Sequence, residues 1–485
     1  MMRAGSPVRR RFLTIGTVGL ILAALGGPGR KTGGGRAGDY WVQRRRIRPG
    51  RHRVRPRAGG ARRLIECNRF ALFLAAVVPF AAEPPAVDFT TDIRQVTSGP
   101  KHHFFGYIGH VQTIPWNKSG RFIVALQTGF QDRMPEPAET ADIVLLDTRD
   151  GYAVRVVDRT RAWNFQQGTM LYWNPDAPET QFFFNDRDPE TNAVFCVLFD
   201  IAKGRNGGRI AEYRFDDTPV GNGGTMQRGG WFAGINYGRL ARLRPVTGYP
   251  GAADWTAGTR RHPENDGIFK VHVKTKEKRL LVSFKRLADA LRGQHPDIDE
   301  KEIFVNHTLW NRDDSRLFFF VRGDFDRPDR RLDVPFTIKA DGSDLRPLAL
   351  HIGGHPEWES GHVMIGRRGR DQILFDMIKQ EFTGILGTPE IFPNPGGDVA
   401  LSPDGRWFVN GHADGGKNYY TVLRRADGAW VRTAGLDQNG YTAGNLRIDP
   451  SPCWNRNSTQ ILAAAADREK TRQMFLITMI MKSKP

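Results

Sequence analysis

With 485 residues the chain is too long for one ordinary hydrophobic core, and its 39% hydrophobic and 11% aromatic content permits a packed fold. Its 54 glycines and 30 prolines favour many short strands and turns over long helices. The formal charge of +19 belongs to one end: residues 1–63 carry 17 Lys/Arg and a single acid, Asp39, whereas the rest carries 54 basic and 51 acidic side chains, which argues against nucleic-acid binding by the main body.

The chain opens with an arginine-rich start, the apolar run LTIGTVGLILAALGG (13–27) and a Gly/Arg-rich low-complexity stretch over 28–63. A second signal-like segment follows: Arg62 and Arg63, the run FALFLAAVVPFAA (70–82), then EPPA. Each apolar run is about 15 residues or fewer, short of the roughly 20 that a membrane-spanning helix needs. We read 64–87 as an export signal and 1–63 as a disordered basic extension, upstream of the true start. The alternative for 1–63 is a basic arm that binds membrane or nucleic acid. Residues 88–485 are then a secreted or periplasmic domain with no transmembrane anchor. Cys67 lies in the leader, and Cys196 and Cys453 are expected as buried free thiols, since no disulfide framework or zinc spacing is present.

From there one phrase returns. It reads WNKSGRFIVAL from Trp116, WNPDAPETQFFF from Trp173, WNRDDSRLFFF from Trp310, LSPDGRWFVNG from Leu401 and WNRNSTQILAA from Trp454. Weaker copies are TMQRGGWFAGI from Thr225 and WESGHVMIG from Trp358. An aromatic or apolar residue ends one strand, Asn, Ser, Asp and Gly make a tight turn, and hydrophobic residues begin the next strand. Strand–turn–strand segments such as ADIVLLDTRDG (141–151) and PFTIKADGSDLRPLAL (335–350) fall between the copies. The anchors lie 57, 52, 85, 48, 43 and 53 residues apart. Units of about 40–50 residues with about four strands each are β-propeller blades. The sequence therefore predicts an all-β, seven-bladed propeller of four-stranded blades over 88–485.

In a propeller the first strand of each blade lines the central channel. The position three before each anchor reads Thr113, Met170, Asn222, His307, His355, Asp398 and Ser451 around the ring. Two imidazoles and a carboxylate at matched register, His307, His355 and Asp398, suit a divalent metal. The bland alternative is a pair of hydrogen-bonded channel histidines with no metal. His351, His362 and His412 are expected on the surface or in structural roles.

The longest gap holds NYGRLARLRPVTGYPGAADWTAGTRRHPENDG (236–267), where Arg239, Arg242 and Arg244 sit close to Tyr237, Tyr249 and Trp255. Guanidinium forks bind carboxylates, so an acidic saccharide would suit this loop. The alternative is a loop packed by salt bridges onto Glu264 and Asp266. Of HHFF (102–105) at most one histidine faces a site if the segment is a strand, and Gln166 and Gln167 of RAWNFQQG (161–168) could reach the channel mouth. No P-loop, GxSxG, HExxH or CxxC is present, which disfavours nucleotide hydrolysis, serine-esterase chemistry and thiol redox.

The SPDG-like phrase resembles the WD40-like repeat of the TolB type. HHFFGYIG (102–109), RAWNFQQGTMLYW (161–173), NYGRLARLRPVTGYP (236–250), PENDGIFKV (263–271) and NHTLWNRDDSRLFFF (306–320) resemble a bacterial propeller family grouped with the oligogalacturonate lyases. The resemblance covers roughly 95–480. It implies β-elimination on uronic-acid-containing oligosaccharides, aided by a divalent cation such as Mn²⁺ held in the channel by several His and a Gln. Carried onto this chain, His307, His355 and Asp398 would hold the metal and Arg239 or Arg242 would stabilise the enolate-like intermediate. His103 would take the proton, and Tyr237, Arg244 and Gln167 would contact the sugar. Asp398 and Ser451 depart from the histidine-rich pattern. That departure favours the alternative of a non-catalytic TolB-like propeller that binds cell-wall glycan or a protein partner.

Overall fold

The computed structural model describes residues 87–106 and 113–482. The expectations for 1–63, and those for 64–87 apart from its last residue, fall outside the described residues. The described chain forms seven antiparallel sheets, each of four strands, with a fifth short strand added to one of them. It is the expected seven-bladed propeller. The blades span 102–160, 172–213, 221–283, 303–347, 357–387 and 398–437, and the seventh combines 453–481 with Phe89–Gln95. Among the described residues no helix is long and apolar enough to cross a membrane.

The repeated phrase explains the geometry. Trp173, Thr225, Trp310, Trp358, Leu401 and Trp454 are the last residues of the innermost strands of blades 2 to 7, and Trp116 is bridged to Ile123 in blade 1. The polar residue after the anchor builds the turn. Asn117 Oδ1 accepts from Phe122 N at 3.0 Å, Asn311 Oδ1 from Arg316 N at 3.0 Å, and Ser402 Oγ from Trp407 N at 2.9 Å. Each side chain thus closes the turn onto the first residues of the second strand.

The anchor itself reaches across to the neighbouring blade. Trp173 Nε1 donates to Pro115 O at 2.7 Å, Trp310 to Gly224 O at 3.1 Å, Trp358 to Leu309 O at 2.9 Å and Trp454 to Ala400 O at 3.1 Å. Every acceptor is the residue just before the preceding blade's anchor. These indoles are at most 4% exposed, so the ring presents its apolar area to the inter-sheet core while the N–H ties one blade to the next. Phe-rich second and third strands fill the space between sheets; Phe183 of blade 2, for example, packs 6.0 Å from Phe232 of blade 3.

The ring closes between the first and last strands. Phe89–Gln95 pairs antiparallel with Arg472–Met481 from Phe89 opposite Met481 to Gln95 opposite Phe475. Asp88 adds an ion pair to Arg424 of blade 6 at 2.6 Å. Two α-helices interrupt the β-structure, Tyr237–Leu243 within blade 3 and Phe284–Leu291 after it. Each starts on a capping side chain, Asn236 Oδ1 accepting from Arg239 N at 3.0 Å and Ser283 Oγ from Arg286 N at 3.1 Å. Cys196 and Cys453 are buried and form no disulfide among the described residues.

Replacing Trp358 by Phe keeps most of the packing but leaves Leu309 O without its donor. Leaving a buried polar group unpaired costs about 1–3 kcal/mol, whereas Trp358→Ala costs about 3–5 kcal/mol through the cavity. Urea unfolding should show two graded losses in midpoint in that order. Equal stability of wild type and Trp358→Phe would remove the inter-blade bond from the account.

Candidate functional site

Four consecutive blades aim their matched residues at one hollow. His307, His355, Asp398 and Ser451, from blades 4, 5, 6 and 7, line a cavity of about 300 Å³ at the end of the channel where the inner strands begin. Thr113, Met170 and Asn222 do not line it; Met170 is core, and Asn222 donates to Thr225 Oγ1 at 2.9 Å.

Local backbone chemistry places His307. In blade 4 the register jumps from Asn306 opposite Phe320 to Leu309 opposite Phe318, so His307 and Thr308 form a bulge. His307 sits at φ +55°, a left-handed conformation that a non-glycine residue adopts at a cost of about 1–3 kcal/mol. The bulge is held because Thr308 Oγ1 donates to Gly223 O at 2.7 Å, and a Cβ on Gly224 would lie 2.0 Å from Thr308 O. Only glycine at 224 lets blade 3 approach closely enough to support the bulge. The His307 ring then stands edge-on to Phe320, 5.6 Å from the ring of His355.

Asp398 is the hub of the matched set. One carboxylate oxygen lies 2.6 Å from His355 Nδ1, and the other accepts from Ser451 Oγ. The imidazole contact is close but poorly aligned for a linear N–H bond, so it acts mainly as an ion pair. Burial pulls the His355 pKa down, but the Asp398 charge and contact overcome it and raise it above the ordinary 6.5. The side chain keeps 31% of its surface open, so cavity solvent tempers that burial. Burial pushes the Asp398 carboxyl up, but His355 and then Ser451 pull it below its ordinary value. Asp449 goes the other way: burial and then repulsion from Asp398 raise it, although Arg447 Nε donates to it at 2.7 Å. Two neighbouring carboxyls are thus driven apart, one ionised and one towards neutral.

A second cluster centres on Asp333. It takes Arg322 Nε at 2.7 Å, Arg331 Nη2 at 2.8 Å and faces His351 Nε2 at 3.3 Å. The Phe325 ring carries the guanidiniums of Arg331 at 3.7 Å, Arg244 at 4.5 Å and Arg322 at 4.6 Å. With Arg367 and Arg447, five guanidiniums line the cavity against the carboxyls of Asp333, Asp398 and Asp449. Arg367 is exposed and has no carboxylate partner among the described residues.

Three of the residues singled out in the sequence as metal ligands, His307, His355 and Asp398, therefore meet, and Arg244 and Gln167 line the same cavity. The donor set does not fit a metal: both Asp398 oxygens are engaged, and among the described residues no group of three or more His, Cys, Asp and Glu is arranged to hold one. Others stand elsewhere. Arg239 is 1% exposed, donates to Ile303 O, Thr256 Oγ1 and Arg261 O at 2.6–3.0 Å, and lies over Phe284; it pins the insertion to the blade. Arg242 forks onto Glu302 at 2.7 and 3.0 Å and reaches Asp254 at 2.9 Å. The insertion is thus packed by salt bridges, with Asp254 and Glu302 as partners where Glu264 and Asp266 were expected. His103 is buried between Gln473 Oε1 at 3.0 Å and Gln127 Nε2 at 2.7 Å. Tyr237 stacks on Tyr249 at 4.5 Å and donates to Asn222 O at 3.1 Å. None of these four lines the cavity.

Sequence reasoning missed Arg322, Arg331, Asp333, Arg367, Arg447 and Asp449. His351, expected at the surface or in a structural role, lines the cavity beside Asp333. Arg447 and Asp449 precede Ser451 by four and two residues, and a search of the segments leading into the inner strands would have found them.

Among solved structures, an oligogalacturonate lyase in complex with manganese shares 16% identity, covering 81% of this chain and 96% of its own, with a TM-score of 0.52. An oligogalacturonate lyase from Vibrio parahaemolyticus shares 14% identity over 81% and 97%, with a TM-score of 0.51. The chain has the oligogalacturonate-lyase-like propeller fold. TolB from Acinetobacter baumannii matches at 11% identity over 81% and 98%, with a TM-score of 0.35. The sequence matches no family model and no curated protein. At these identities the likeness is one of fold, and the site must be read from its own residues.

Because Asp398 raises the His355 pKa, the imidazole keeps its proton to higher pH than an ordinary histidine. In ring-proton NMR the His355 midpoint should lie above 6.5 in the wild type and below it in Asp398→Asn, where burial outweighs the remaining pull of Asp449. An unchanged midpoint in the variant would separate the two side chains.

Proposed function

We propose that the cavity binds a uronic-acid-containing oligosaccharide and catalyses its cleavage by β-elimination. The observation that carries this reading is the His355–Asp398 pair facing a cavity whose guanidiniums outnumber its carboxyls. A cation-rich hollow draws in an anionic sugar. Arg367, with no carboxylate partner among the described residues, takes the uronate carboxylate and lowers the cost of the enolate-like charge that develops beside it.

His355 is the base. Asp398 holds Nδ1, which leaves Nε2 to take the proton α to the carboxylate, and the adjacent carboxylate stabilises the imidazolium that forms. The C4–oxygen bond breaks as the C4–C5 double bond forms. Asp449, pushed towards its neutral form, returns a proton to the departing oxygen. This sequence balances with the chain's own residues, and no step uses a metal. The export-signal reading of 64–87 supports action outside the cytoplasm.

Elimination creates a double bond that absorbs in the near ultraviolet, so an absorbance assay on unsaturated-product formation from uronide oligosaccharides tests the reading. His355→Gln should reduce turnover by about 10²–10⁴-fold, the ordinary contribution of a general base. Arg367→Gln should act mainly on KM. The rate should climb on the alkaline side of 6.5, because the base form of His355 appears only above its raised pKa. Tight uronide binding with no absorbance gain would replace the enzyme by a glycan-binding propeller; neither binding nor turnover would remove both.

A further inference from the structure

The channel has a second mouth, where the inner strands end. A cavity of about 330 Å³ opens there, walled by six of the seven blades through Ile114, Trp173, Met226, Arg312, Pro403 and Arg456. Arg312 and Arg456 hold one place in the repeat, two residues after an anchor Trp. Arg312 Nε donates to Trp358 O at 3.2 Å and Arg456 Nε to Trp116 O at 3.0 Å, in each case the carbonyl of the next blade's anchor. The remaining donors are poorly used. Those of Arg312 reach Ser402 O and Pro403 O at 3.4 and 3.5 Å, and those of Arg456 have no acceptor among the described residues.

Neither guanidinium forms an ion pair among the described residues, and no carboxyl lines this cavity. Burial depresses both, and the charges of Glu357, Glu359 and Asp404 on Arg312 and of Glu179 on Arg456 offset it only in part. Gln227, on the same wall, has a buried Nε2 with no acceptor. Half-buried cations without an ion pair and a buried donor without an acceptor are costly, and in a roomy cavity an entering anion satisfies them. Apart from Thr225, the remaining wall is apolar, from Trp173, Pro175, Met226, Ile114 and Pro403.

We propose that this second mouth is a binding site for an organic carboxylate with an apolar body. Arg312, Arg456 and the Gln227 amide take the carboxylate, and the Trp173 and Met226 side take the body. The site is independent of the sugar-cleaving reading, since it shares no residue with the first cavity.

Calorimetric titration of the whole protein with phenylacetate, its neutral isostere phenylacetamide and inorganic phosphate tests it. Phenylacetate should bind saturably and at least about tenfold more tightly than the amide, the margin of a charge-assisted hydrogen bond. Phosphate should compete but bind more weakly. Arg456→Gln and Arg312→Gln should each weaken phenylacetate by about tenfold or more, while Arg279→Gln, 66% exposed on an outer strand, should not. Absent binding, equal binding of acid and amide, or phosphate binding alone would each overturn the proposal. The comparison of acid with amide on the wild type stands even if the arginine variants do not fold.

Discussion

The structure rests on a donor reaching from one blade to the next. A four-stranded blade exposes two apolar faces and cannot stand alone. In this chain the blade's last inner-strand residue is, at four positions, an indole bonded to the backbone of the preceding blade. Because the same atom at the same register makes each bond, the inner strands are held level with one another. Level strands bring residues of equal register to equal depth in the channel. That is why His307, His355, Asp398 and Ser451, far apart in sequence, become neighbours.

A ring built this way must also be closed. The first described strand supplies the outer edge of the last blade, so the two ends of the domain meet in one ladder. Closure completes the four strands of the seventh blade and fixes the diameter of the channel. The four strong anchors also explain why blade 3 differs. Thr225 brings no indole to blade 2, while its junction to blade 4 carries the Trp310–Gly224 bond and adds Gly223 and Gly224 packed against Thr308. The bulge at His307 is a consequence of that junction, and it turns the imidazole into the hollow.

Much of this was legible in the sequence, for a definite reason. Turn chemistry and strand ends depend on local residue type, so six copies of one phrase located the ends of six inner strands, including the weak ones at Thr225 and Trp358, and the seventh located the bridge from Trp116 to Ile123 in blade 1. Register then predicted the meeting of His307, His355 and Asp398. What register could not tell was the direction of a side chain after its neighbours had taken it. Asp398 turns to His355 and Ser451, so each of its oxygens already faces a partner from the fold. Arg239 illustrates the same limit: an arginine beside aromatic residues in a long insertion reads as a ligand, yet its donors match three fixed acceptors of the fold. Asp333 and its arginines were missed because they come from later strands and loops of blade 4, outside the repeated phrase.

The two mouths differ in how the fold handles positive charge. At the first, Asp333 answers Arg322 and Arg331, Asp449 answers Arg447, Asp326 answers Arg244, and among the described residues only Arg367 is left over. Such pairing orients the arginines and keeps the desolvation cost low. The opposed shifts of Asp398 and Asp449 arise despite that pairing: His355 and Ser451 hold Asp398 ionised, and its charge adds to the burial that raises Asp449. At the second mouth the arginines serve the ring itself by bonding the next blade's anchor carbonyl, and among the described residues no acid forms an ion pair with them. A charge retained for a backbone contact thereby leaves donors facing an apolar hollow. Chemistry that needs proton transfer belongs at the first mouth, where acids and a base coexist; the second offers only attraction and fit.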